Sequence, residues 1–171
     1  MKAKAYNSTG RIYWCKGRLA LLGILTMGTC LFSCQPVAVY EKNTPIPNQA
    51  WKSSVAATGS FDIKDTTALY RTHLVLRHTD AYQYENIWLN IGLQAPGDSM
   101  RFVRYNLSLV NGNTGWEGTG MNDIWEVRKW LQIGDGRFKK AGTWNFAIYH
   151  LMRNDPLPAV LSAGLRVEKQ P

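Results

Sequence analysis

Beyond residue 34 the sequence has no cysteine. The chain's three cysteines are Cys15, Cys30 and Cys34. A disulfide framework and a cysteine-held metal site are therefore excluded for everything downstream. The histidines at 73, 78 and 150 share no metal-ligand spacing, and no carboxylate is paired with them in sequence. No serine sits in a nucleophile-elbow pattern. No glycine-rich stretch lies between a strand and a helix, where it could cradle phosphate. Internal repeats are absent, and helical periodicity is weak throughout. These absences leave neither a metal, a cofactor nor a catalytic set to build on.

Acidic residues are also missing from the first 33 positions, which hold Lys2, Lys4, Arg11, Lys16 and Arg18. Much of the formal charge of +8 belongs to that segment. The rest carries 15 basic against 12 acidic residues, a net of +3. That is an ordinary soluble surface, too weakly basic to indicate a nucleic-acid partner.

What residues 1–33 do hold is a signal-peptide pattern. Arg11, Lys16 and Arg18 precede an apolar run over residues 19–32, which is short for a membrane span. The run ends in Leu31-Phe32-Ser33-Cys34, which resembles the lipobox of bacterial lipoproteins, with an aliphatic residue three before the cysteine and a small one just before it. The resemblance implies cleavage before Cys34 and its acylation. Cys30, with Met27 and Thr29 in those places, fits less well. The competing reading is an ordinary signal peptide with a bystander cysteine. Residues 34–50 include three prolines and little periodicity. They read as a lipid-anchored tether, with residues 37–40 a candidate edge strand.

Residues 51–171 read as one β domain. Alternation of apolar and polar residues places strands near residues 54–63, 68–77, 84–93, 101–110, 124–133, 142–152 and 159–168. Gly, Pro, Asn and Asp turns separate them, and Gly134-Asp135-Gly136 looks like a hairpin turn. The expectation is an all-β fold: a single antiparallel β-sandwich of about seven or eight strands, Ig-like or jelly-roll-like. Without disulfides it must stand on its apolar core, and Trp51, Trp88, Trp116, Trp125, Trp130 and Trp144 supply large burial areas.

Candidate chemistry is sparse. Tyr84, Asn86 and Trp88 alternate on one face of the cleanest strand, and Trp116 stands among glycines further on. Together they form a candidate binding face, in which aromatic rings stack on sugars or on a partner's side chains. In the bland alternative, Trp88 and Tyr84 fill the sandwich core. Glu117, Asp123, Glu126 and Asp135 are the acids a glycoside hydrolase would draw on. Carboxylates this scattered read as solvated.

Several segments, in order, are similar to one family. Tyr82-Gln83-Tyr84-Glu85-Asn86-Ile87-Trp88 follows a strand ending Leu76-Arg77. It resembles the Arg, then Tyr-x-Tyr-x-Asn-aromatic pattern of the gliding motility lipoprotein GldH family of Bacteroidota. Trp51, Gly115-Trp116-Glu117-Gly118-Thr119-Gly120 and the tail from Met152-Arg153-Asn154-Asp155-Pro156 to Val167-Glu168 extend the likeness over most of residues 34–168. Ala159 departs from it, where the family favours glycine, and so does Asn90, where it favours an apolar residue. The resemblance implies a non-enzymatic outer-membrane lipoprotein, a structural or assembly component of the gliding machinery linked to type IX secretion. Its implied partners are the membrane, through the lipid anchor, and other envelope proteins of those systems. It implies no cofactor and a defined role only for Cys34. The first acid after Cys34 is Glu41, so the expected location is the periplasmic face. A carbohydrate-binding envelope lipoprotein is the alternative, and an envelope hydrolase using Glu117, Asp123, Glu126 and His150 is a third.

Overall fold

The structure, a computed structural model, describes residues 38–112 and 115–170. The segment 1–33 and Cys34 lie outside the described residues. Strand alternation governs what is described. The strands are β1 (Ala38–Pro45), β2 (Ala50–Trp51), β3 (Ala57–Ile63), β4 (Tyr70–Thr79), β5 (Asn86–Gln94), β6 (Arg101–Ser108), β7 (Thr119–Met121), β8 (Ile124–Leu131), β9 (Gly142–His150), β10 (Leu157–Pro158) and β11 (Val160–Lys169). Among the described residues the helical content is a short 3-10 turn at Pro47–Gln49.

The strands form a five-stranded sheet, β1-β11-β4-β8-β7, a four-stranded sheet, β3-β9-β5-β6, and a two-stranded piece, β10-β2. Every pairing is antiparallel. Setting aside the short strands β2, β7 and β10 and numbering the eight long ones in order, the sheets run 1-8-3-6 and 2-7-4-5. That is the jelly-roll order, with two Greek keys folded onto each other. It decides between the two sandwich types expected from sequence.

The period-2 pattern explains which faces meet. On β4, Tyr70, Thr72, Leu74, Leu76 and His78 are buried and face the other sheet, while Arg71 and Arg77 are exposed. On β5, Ile87, Leu89 and Ile91 face inward against Phe146 and Ile148 of β9. A chain of aromatic rings packs through the middle. Phe138 meets Phe61 and Tyr70 edge-on at 5.4 Å, and Trp144 at 4.8 Å. Such contacts add to area burial.

Two expectations need correction. Most of the stretch read as tether is structured, because β1 pairs with β11 from Ala38 to Pro45. The sheet therefore already includes residues 38–45, in line with the edge strand read at 37–40. The Gly134-Asp135-Gly136 turn does not close a hairpin either. β8 pairs with β4, whereas β9 lies in the other sheet, so residues 132–141 cross between the layers. A tight turn reverses the chain locally but does not dictate which sheet the next strand joins.

Candidate functional site

The exposed face of the four-stranded sheet is shaped by a glycine. Gly92 lies opposite Phe102 on one side and Ala147 on the other. A Cβ at Gly92 would come within 2.6 Å of the Phe102 ring, so that ring lies across the bare backbone. An aromatic covering a strand glycine restores packing that the glycine lacks. Phe102 in turn meets Tyr149 at 6.0 Å in a tilted arrangement. Trp88 stands on the same face, opposite Asn106, and is 42% exposed. Asn86 Nδ2 donates to Asn106 Oδ1 at 2.6 Å, and Asn145 Nδ2 donates to Gln94 Oε1 at 3.1 Å. Arg104 sits opposite Asn90. The face thus offers aromatic rings flanked by amides and a guanidinium, the chemistry for stacking on a sugar or a partner's side chain.

Of the four residues read as a binding face, the structure brings Asn86 and Trp88 together here and places the other two elsewhere. Trp116 is half-buried, edge-on to His78 at 4.7 Å and to Tyr82 at 6.2 Å. Tyr84 packs on Tyr82 at 5.8 Å. Buried Tyr82 donates its hydroxyl to the Asn86 carbonyl at 3.1 Å. These rings close one end of the core, so Tyr84 and Trp116 are packing residues on this geometry. Sequence reasoning missed Phe102 and Tyr149. The same alternation that turned Trp88 outward turns both of them outward too.

The acids do not assemble a hydrolytic pair. Lys129 donates to Glu117. Arg77 Nε donates to Glu126 Oε2 at 2.7 Å, and Arg128 Nε to Glu126 Oε1 at 3.0 Å. Burial works to raise the Glu126 pKa, but the hydrogen bonds from the two arginines outweigh it and hold the carboxyl below its ordinary value. A general acid needs the opposite shift. Asp135 is exposed and caps the Arg137 backbone N–H at 3.1 Å. Asp123, in the turn between β7 and β8, is exposed, and its backbone carbonyl accepts from the Asp80 N–H. Among the described residues no group of three or more His, Cys, Asp or Glu could hold a metal ion.

His78 and His150 are interior groups, and His73 is half-buried on the outward face of β4. His78 Nδ1 lies 3.0 Å from the Thr79 carbonyl, to which it donates as the neutral ring, and its Nε2 has no partner among the described residues. His150 Nε2 donates to the Trp51 carbonyl at 2.8 Å. Desolvation by burial lowers the pKa of both, and of His73, below the ordinary 6.5; for His150 the bond to Trp51 and the nearby Asp155 only partly oppose it. The sign follows directly. Below pH 6.5 the unfolded chain takes up protons that the folded one resists, so stability present above that pH is lost as pH falls. The urea midpoint is expected to drop between pH 6.5 and 5, before the carboxylates titrate. Each fully buried histidine steepens the dependence by up to about 1.4 kcal/mol per pH unit. A flat midpoint over that window would contradict this.

Comparison with known proteins agrees with the sequence pattern. The GldH lipoprotein family model matches residues 38–167, from the first residue of β1 into β11. The chain is 23% identical over 161 residues to the gliding motility lipoprotein GldH of Flavobacterium johnsoniae, covering 90% of this chain and 99% of that protein. It is 24% identical over 146 residues to the gliding motility lipoprotein GldH homolog of Christiangramia forsetii, covering 80% and 87%. The matched span holds both sheets and the aromatic face, and the chain belongs to the GldH lipoprotein family.

Proposed function

We propose that this protein is a non-enzymatic, membrane-anchored component of the gliding motility machinery. It acts at the periplasmic face of the outer membrane, and its work is linked to type IX secretion. One observation carries the reading: a family match across the whole sandwich to lipoproteins of gliding motility. Among the described residues no helix is long and apolar enough to cross a membrane. The proposed anchor is Cys34, and stable attachment needs more than one acyl chain. Because β1 begins at Ala38, the link from an acylated Cys34 spans at most about 14 Å when fully extended.

A deletion strain is expected to lose colony spreading and to secrete less protein, with both restored by the wild-type chain. Normal spreading and secretion after deletion would sink the proposal. The leaflet is tested separately by protease treatment of intact cells, in which the protein is expected to survive until the envelope is opened.

A second reading, glycan binding, is favoured by the outward row of Trp88, Phe102 and Tyr149 with its flanking amides. Affinity electrophoresis on a broad glycan panel tests it. A mobility shift that Trp88→Ala removes supports it, and no shift on any glycan ends it.

A further inference from the structure

On the other side of the four-stranded sheet, β6 overhangs the core. The pairing of Ile91 with Val103 and of Leu89 with Tyr105 turns Val103 and Tyr105 toward the opposite sheet. Yet Val103 remains 54% exposed. An inward-facing valine left open means the two layers do not close at this edge. The gap is a slot of about 560 Å³ between β6 and the crossing segment 132–141. Its size falls within the range of roughly 300–1,000 Å³ typical of small-ligand sites.

The slot has two chemically distinct parts. Leu93, Val103, Tyr105 and Ile133 make an apolar floor, with the Trp144 ring beside them. Trp144 is pinned by its Nε1–H, which donates to the Lys140 carbonyl at 2.9 Å. The rim carries Arg101, Arg137, Lys139 and Lys140, against a single lining carboxylate, Asp98. Asp98 pairs with Lys140 at 2.8 Å. Asp135, just outside the lining, lies 4.0 Å from Arg137, so two acids offset four cations and the rim keeps a positive excess over an apolar surface, which calls for a ligand with an apolar body and a negative head.

Cross-links bound the slot at two points. The Tyr105 hydroxyl donates to the Gln132 carbonyl at 3.4 Å, tying β6 to the crossing segment. Lys140 reaches the β5–β6 loop through Asp98 and through the Pro96 carbonyl at 3.4 Å. A space strapped in this way suits a short rod better than a polypeptide running the length of a strand. We infer that the slot binds one single-chain anionic amphiphile of the fatty-acid class, its chain on the Val103–Ile133 floor and its carboxylate among Arg101, Arg137, Lys139 and Lys140.

The test is titration calorimetry on the full chain carrying Cys34→Ser, which cannot be acylated, with submicellar octanoate, decanoate and dodecanoate. One site is expected, tightening roughly two- to four-fold with each added methylene. Dodecanol, with the chain but no charge, is expected to bind at least tenfold more weakly than dodecanoate. The double variant Lys139→Glu/Lys140→Glu is expected to lose at least tenfold with unchanged circular dichroism. Val103→Trp, which fills the slot with apolar volume, is expected to abolish binding without unfolding the domain. The inference is overturned by any of four results: no dodecanoate binding at millimolar concentration, equal affinity for dodecanol, indifference to the charge reversal, or binding only to intact anionic vesicles or to an acidic peptide.

Discussion

Trp51→Ala is expected to destabilise the domain by about 3–5 kcal/mol, at the top of the range for single core truncations. Trp51 is 1% exposed, the bulkiest of the fully buried side chains. Its indole Nε1–H donates to the Val55 carbonyl at 2.8 Å, closing the loop before β3. Its ring meets His150 at 5.4 Å in a tilted arrangement, and His150 also donates to the Trp51 carbonyl. Truncation removes the packing of a large ring and leaves the Val55 carbonyl without its donor, while the His150 bond to the residue-51 backbone carbonyl stays. The residue pairs with Leu157 in the β2–β10 piece, so the damage reaches that strand pair as well. Thermal unfolding is expected to move down by roughly 10–20 °C. Trp130→Ala, at a site 61% exposed, is the control and is expected to change stability by no more than about 0.5 kcal/mol. A Trp51 variant within 1 kcal/mol of wild type would contradict the packing described.

The second large effect concerns β1. Gly164 of β11 lies opposite Asn43, and a Cβ at this glycine would fall on the Lys42 carbonyl oxygen. Backbone cannot move aside as a flexible side chain can. Gly164→Val is therefore expected to push β1 off the sheet at a cost of about 3 kcal/mol or more, beyond ordinary overpacking. The loss would include the Tyr40 contacts with Phe61 at 5.6 Å and with Phe146 at 6.2 Å. The Arg166–Glu41 ion pair and the Thr44 hydroxyl bond to the Thr58 carbonyl would go as well. Hydrogen exchange is the sensitive readout, because amides of residues 38–44 should lose protection while β5 and β9 keep theirs. Unchanged protection of β1 would refute the steric assignment. On the proposed Cys34 anchoring, a freed β1 would lengthen the link to the anchor by eight residues, about 26 Å when extended.

Much of this architecture was legible in sequence because alternation is a local signal. β4 and β5 followed it almost residue for residue. Strand order did not, since pairing β11 with both β1 and β4 depends on contacts far apart in the chain. β1 was only partly legible: its first residues read as a candidate edge strand, and the rest was blurred by its own role. As an edge strand it carries Glu41, Lys42, Asn43 and Pro45, and charge and proline at an edge deter unwanted pairing while blurring the pattern. The candidate face was half legible. Outward alternation identified Asn86 and Trp88, but nothing in sequence says that Trp116 turns back onto His78. Nor does the regular pattern of β6 reveal that its inward residues look into an open slot. That depends on where the crossing segment settles, and no local periodicity encodes it.

On the proposed function this chain is a tethered domain whose work depends on being held at the membrane. The most direct measurement is complementation of the deletion strain with Cys34→Ala, scored for membrane fractionation, colony spreading and secreted protein. The expected result is a stable protein that leaves the outer-membrane fraction and restores neither spreading nor secretion. Full restoration by an unacylated protein would contradict the account.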